Sequence, residues 1–339
     1  MGRNIDLLPE AIANLHNSGI LSRNVVNILF PLKGLDSLMV ISSIQTKAKL
    51  AWALVFICPA FFSSNMLLAR GMAGVFPPLS LAFLRWLFVG LVIMAAMAAL
   101  RRIKMDVIRQ EIKPILFLAS LGMGLCGGPV YLAGELTTAT NIGLIYSTAP
   151  LLMAVIALFV FKQHLSIRQS CGLLMGLVGV LIILFKADPA LMKTLSFNRG
   201  DILIVLATFS FSIYSLGLKY FKTTLTQVQR FGCMALGGAL WHAPFVIWEV
   251  SARGPWPEFT AAIIAGLFIA VFFASIGAYL SYGFIVVTLG TAIASATLYL
   301  SPIYAAILAA LLLDEQIMIY HLMGGALILP GLWLVSGRQ

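Results

Sequence analysis

The chain has 339 residues, 61% of them hydrophobic and 10% charged, with a formal net charge of +10 and a mean hydropathy of +1.01. An ordinary soluble domain carries about a quarter charged residues, so a water-soluble fold could not hide this much apolar surface. Most Lys and Arg stand in short loops between apolar runs, which reads as a topology signal rather than a nucleic-acid footprint.

Residues 1–48 are mixed in polarity and form an N-terminal cytosolic extension. They lack the basic, apolar and small-residue regions of a secretory signal, and Asp6 stands where a myristoylation pattern needs Ser or Thr. Met39 leaves two readings of residues 1–38, an upstream start or a short cytosolic segment.

Ten apolar runs follow, near 49–69, 76–99, 114–134, 138–161, 168–185, 201–219, 226–248, 260–286, 290–313 and 317–336. Roughly 20 apolar residues at 1.5 Å rise cross about 30 Å of hydrocarbon. The runs are continuously apolar rather than alternating, so the expected class is an all-α integral membrane protein, not a barrel. A cytosolic N-terminus puts thirteen basic residues inside, among them Arg101, Arg102, Lys104, Arg109, Lys113 and Arg338. Five remain outside, Arg70, Lys186, Lys193, Arg199 and Arg253. The positive-inside rule then puts both termini in the cytosol of a cell whose inner membrane holds the chain.

An offset of 152 residues carries Pro150 onto Pro302, Ala154 onto Ala306, Gly172 onto Gly324, Gly179 onto Gly331 and Ser63 onto Ser215. The expected halves are 49–185 and 201–337, joined by a linker at 186–200. Five helices are an odd number, so the second half enters the membrane from the other side. Inverted repeats of this kind place substrate at their interface near the midplane.

Several local patterns carry a resemblance. Pro77, Pro78 and Leu79 precede Arg85; Pro150, Gly172 and Gly179 recur as Pro302, Gly324 and Gly331; Asp314 and Glu315 follow the second proline helix, where the first copy has Lys162 and Gln163; Gly200 and Asp201 open the sixth helix. Over 48–337 these patterns resemble the EamA-type members of the drug/metabolite transporter superfamily. The resemblance implies two five-helix halves and transport of small metabolites, and it says little of which metabolite.

Arg85 lies about nine residues, or roughly 13 Å, inside its span. An arginine at a helix centre costs about +2.5 to +3.5 kcal/mol to insert, so it should face a wet cavity or a partner. Two readings stand: its guanidinium holds a substrate carboxylate, or it ties helices together through carbonyls and hydroxyls. Tyr131, Tyr146, Tyr214, Tyr282 and Tyr299 recur away from the interfaces that tyrosine favours, which is commonly helix packing for any one of them. Taken with Asn65 and Asn141, they suggest an aromatic, uncharged cavity for a zwitterionic or amphipathic metabolite.

Most glycines in the spans read as close helix packing. Gly127 and Gly128 before Pro129 read as a hinge, and Pro150 and Pro302 as breaks in the fourth and ninth helices. Glu135 and His242 are the candidates for proton coupling, each more often structural. The first span has no carboxylate from Leu50 to Ala69, unlike the small multidrug exchangers of the superfamily, so facilitated diffusion stays open.

Cys58, Cys126, Cys171 and Cys233 show no metal or disulfide spacing, and no nucleophile, metal-hydrolase or P-loop motif occurs. The expectation is therefore a non-enzymatic exporter or facilitator, with amino acids as first substrate and no cofactor or metal. It would work in the bilayer as a monomer or homodimer. The alternatives are an importer or exchanger of anionic or nucleotide-linked metabolites, and a membrane scaffold or sensor, which a large soluble output domain would usually accompany.

Overall fold

The computed structural model describes residues 35–313 and 316–337. The extension up to residue 34, Asp314 with Glu315, and Arg338 lie outside the described residues. Among the described residues there is no strand. Among the described residues ten helices are long and apolar enough to span: α1 (Gln45–Ala69), α2 (Pro78–Ala99), α3 (Ile112–Leu136), α4 (Asn141–Phe161), α5 (Ile167–Leu184), α6 (Arg199–Tyr220), α7 (Gln227–Arg253), α8 (Ala261–Leu289), α9 (Thr291–Leu308) and α10 (Ile319–Ser336).

The helix starts are chemically marked. Ser166 with Gln169, Asn198 with Asp201, and Thr226 with Gln229 form capping boxes that satisfy orphan N–H groups at the starts of α5, α6 and α7. The start of α2 carries Pro78 at its first turn and is capped by a different helix. The Glu249 carboxylate of α7 accepts the N–H groups of Leu79 and Ser80 at 3.1 and 2.7 Å. α7 runs to Arg253, past the sequence-based limit at 248, and its added turn carries both Glu249, which serves α2, and Arg253, which pairs with Glu135 of α3 at 2.9 Å.

Four spans are interrupted. In α3, a π-helical stretch at Ser120–Leu125 and a turn at Cys126 and Gly127 precede a second segment, Gly128–Leu136. In α8, a π-helical stretch occupies Ile269–Gly277. α4 breaks at Thr148 before Pro150, and α9 passes through a 3-10 turn at Leu298–Leu300 before Pro302. Proline removes an N–H and obstructs the preceding turn, while π turns displace carbonyls from the regular ladder.

α5 packs on α10 and α2 on α7; α1 lies against α8 and α9, and α6 against α3 and α4. Glycines set the α5–α10 approach. A Cβ on Gly172 would stand 2.6 Å from the Gly331 carbonyl oxygen, and one on Gly179 would stand 2.6 Å from that of Gly324. Polar side chains gather inside, with Ser63, Arg85, Thr208, Ser212, Ser215 and His242 all buried, while Phe159, Leu240, Ile247 and Trp248 face outward. That inversion of the soluble pattern suits a lipid exterior, where burial of helices rests on packing and internal hydrogen bonds.

Candidate functional site

A cavity of about 380 Å³ opens among α1, α3, α4, α5, α6, α8 and α9. Its walls reach Ala69 near the end of α1, Gly134 and Thr137 near the end of α3, and Thr138 and Ile142 at the start of α4. The cavity thus sits toward the face that carries the α1–α2 and α3–α4 connections. The broken segments form its inner end, through Tyr146, Ser147, Ala149 and Pro150 on α4 and Leu298, Tyr299, Ser301 and Pro302 on α9. Phe62, Phe211 and Tyr279 supply aromatic wall, and Met66, Val130 and Val180 aliphatic wall. Among the described residues, no Asp, Glu, Lys, Arg or His lines it.

Behind this wall stands Arg85, 1% exposed. Its Nε–H donates to the Ser275 hydroxyl, Nη1 donates to Asn65 Oδ1 at 3.0 Å and to the Tyr131 hydroxyl at 2.8 Å, and Nη2 donates to the Ala274 carbonyl at 2.8 Å. Ala274 and Ser275 belong to the π stretch of α8, so that irregularity delivers an acceptor pair to the guanidinium. The guanidinium carbon also lies 4.4 Å from the Trp86 ring centroid. One residue of α2 is thereby fastened to α1, α3 and α8, the arrangement of the helix-tying reading.

Of the residues singled out from sequence, Asn65, Tyr146, Tyr299, Pro150 and Pro302 line the cavity. Asn65 bridges the two layers: its Oδ1 accepts from Arg85 and, at 2.8 Å, from the Tyr131 hydroxyl. Tyr299 is 3% exposed, and its hydroxyl has no hydrogen-bond partner among the described residues.

Tyr131, Tyr214, Tyr282 and Asn141 do not line the cavity. Tyr214 and Tyr282 pack behind Phe211 at centroid distances of 5.9 and 5.3 Å, and the Tyr282 hydroxyl shares a 2.7 Å hydrogen bond with Ser215. Asn141 donates to both Asp201 carboxylate oxygens, at 3.1 and 3.0 Å, and so joins α4 to the start of α6.

Glu135 lies at the exposed end of α3 in a two-armed contact with Arg253, away from the cavity wall. His242 is buried, with Nδ1 facing the Gly238 carbonyl at 2.7 Å and Nε2 accepting the Gly128 N–H at 2.9 Å. That second bond needs an unprotonated Nε2, so the imidazole is neutral and holds the Gly127–Gly128–Pro129 turn.

Sequence reasoning missed Phe62, Met66, Cys126 and Phe211 as wall residues, and Ser275 as an Arg85 partner. Apolar residues in an apolar span carry no signal of which face they occupy. Ser275 is one of many span hydroxyls, and no periodicity marks the π stretch that presents it.

Buried polar clusters, interrupted helices and an amphipathic cavity enclosed by apolar spans define a polytopic membrane transporter rather than an enzyme. The chain matches the EamA-like transporter family twice, over residues 49–185 and 198–337, and belongs to it. It is 23% identical over 287 residues to the uncharacterized transporter YyaM of Bacillus subtilis, covering 82% of this chain and 90% of that one. An uncharacterized transporter of Archaeoglobus fulgidus is 26% identical over 66% of this chain and 75% of its own. A WAT1-related chloroplastic protein of Arabidopsis thaliana is 28% identical over 59% of this chain and 49% of its own. One solved crystal structure superposes with a TM-score of 0.67, covering 84% of this chain and 94% of its own at 21% identity, a likeness of fold.

Proposed function

We propose that the protein is an alternating-access exporter or facilitator of small amphipathic organic metabolites, seated in the inner membrane with both termini cytosolic. Carboxylate-bearing metabolites are the substrate class in view, with amino acids the first to test and other anionic metabolites the alternative. Two inverted five-helix halves rock about the cavity.

The observation that carries this reading is an asymmetry between related places. Exchanging α1–α5 with α6–α10 turns the α1 contacts with α8 and α9 into those of α6 with α3 and α4, and returns the α2–α7 and α5–α10 pairs to themselves. The offset of 152 also carries Gly143, in the wall of the large cavity, onto Ser295, which lines a small pocket of about 30 Å³ at the other end of α4 and α9, while Pro150, the counterpart of Pro302, borders both. An open cavity and a closed counterpart at equivalent sites are what a two-state inverted repeat has in one of its states. Given the basic-loop orientation, the open state faces outward.

The test is accessibility, and it needs no knowledge of the substrate. Met66→Cys in the large cavity and Ala292→Cys in the small pocket are each placed in a background lacking the native cysteines. Impermeant maleimide should label Met66→Cys from outside and Ala292→Cys from the cytosolic side, and a bulky adduct at either should suppress labelling at the other. Independent labelling of the two would contradict alternation, and labelling of Met66→Cys from the cytosolic side alone would reverse the orientation.

A further inference from the structure

Arg85 lacks a counter-ion. Its four hydrogen-bond partners, Ser275, Asn65, Tyr131 and the Ala274 carbonyl, are all neutral, and no carboxylate pairs with it among the described residues. A buried cation is ordinarily paired, because desolvation without a partner is expensive. Hydrogen bonds satisfy its donors here but leave its charge uncompensated.

That charge stands one side chain behind the cavity. Asn65, which takes its hydrogen bond, lines the cavity, and so does Tyr279, whose ring centroid is 6.0 Å from the guanidinium carbon. Arg85 and Tyr131 both donate to Asn65 Oδ1, which fixes the amide and leaves its NH₂ group as what Asn65 can offer a ligand. Among the described residues the wall supplies no carboxylate for an ammonium, while Phe62, Met66 and Phe211 offer apolar contact.

Resting on the transport reading of this cavity, we infer that the substrate is an amphipathic monocarboxylate. Its carboxylate sits at the Asn65 amide in the field of Arg85, its hydrocarbon body lies against Phe62 and Phe211, and recognition requires no ammonium group. Arg85 acts through Asn65 as a positioning residue and supplies the missing half of an ion pair that forms when substrate arrives. At an effective dielectric near 20 and a separation of several Å, one unit charge favours acid over its neutral amide by about tenfold to a hundredfold.

Arg85→Ala would strip several groups of their donors and could fail to fold, so the informative variant is Asn65→Asp. It keeps an oxygen for Arg85 and Tyr131 and places a resident carboxylate before the guanidinium. The probes are phenylpropionate, phenylpropanamide, phenylpropylamine and phenylalanine, measured by calorimetry on the purified full chain at neutral pH.

Phenylpropionate should bind at least about tenfold more tightly than the amide, with the amine weakest and phenylalanine no tighter than the acid. Asn65→Asp should weaken the acid by about tenfold or more while leaving the amide within about twofold and the melting temperature unchanged or raised. Amine binding equal to that of the acid, phenylalanine binding well above it, an acid affinity indifferent to Asn65→Asp, or binding of none of the four would each overturn the inference. The maleimide result stands or falls separately, because accessibility does not depend on which compound is carried.

Discussion

A single arginine shows how a charge survives inside a membrane protein. Arg85 needs a fork of donors, because the Ser275, Asn65, Tyr131 and Ala274 acceptors lie in different directions on three helices. The single ammonium of a lysine could not reach them all. Sequence alone exposed Arg85 by its depth in a span but left its two readings level. The hydrogen bonds give it a structural task, and Asn65 connects that task to the cavity.

His242 divides in the opposite sense. Both ring nitrogens are occupied by backbone groups, so the residue that resembled a proton carrier is held as a neutral clamp. His242→Leu should destabilise the protein by about 1–3 kcal/mol, because the buried Gly128 N–H loses its acceptor. The pH profile of flux should keep its shape, since a neutral clamp exchanges no proton with solvent. Melting curves in detergent and flux assays across pH check the two halves separately, and a profile altered by the substitution would restore the coupling role.

At the scale of elements, interruptions matter more than the helices they interrupt. The π stretch in α3 leaves the Gly122 carbonyl to the Tyr279 hydroxyl at 3.0 Å, and that in α8 leaves the Ala274 carbonyl to Arg85, so each is fixed by a side chain from another span. At the turn in α3, a Cβ on Gly127 would lie 2.2 Å from the Met123 carbonyl oxygen and 2.9 Å from both His242 and Trp86.

Gly127→Ala should therefore lower the yield of folded protein sharply, by a clash of backbone rather than by lost flexibility. Gly71→Ala, whose Cβ would meet nothing within 4 Å, should be neutral. Fluorescence-detected size exclusion of the two variants makes the comparison, and equal profiles would show that the α3 turn relaxes freely. The glycine–glycine–proline sequence was read as a hinge, and it could not reveal that His242, Trp86 and Met123 crowd around it.

Across the whole molecule, one carboxylate joins α3 and α4 to α6 at the cavity mouth. Asp201 at the start of α6 accepts from Asn141 of α4, from the Thr137 hydroxyl of α3, and from the Asn198 backbone N–H at 2.8 Å. Thr137 is itself part of the cavity wall. Asp201→Ala should cost about 2–4 kcal/mol, since it unpairs buried donors and removes the α6 capping box together. Its effect should not add to that of Asn141→Ala, because the two share one network. A double-mutant cycle on melting temperature tests this, with strict additivity counting against a shared latch.

Span number, helical class and family were legible in the sequence because each depends on local composition: about 20 apolar residues suffice to make a span whatever they touch. Arg85, Asn65 and the two proline breaks were visible for the same reason, as polar or helix-breaking residues in lipid-soluble runs. Which face each helix turns inward could not be read, since lipid and protein interior select the same apolar side chains. Only tertiary packing therefore decided that Phe62 and Phe211 line the cavity while Tyr214 and Tyr282 stand behind it. Packing also gave Glu135 a surface partner in Arg253 and left Arg85 hydrogen-bonded without a counter-charge among the described residues.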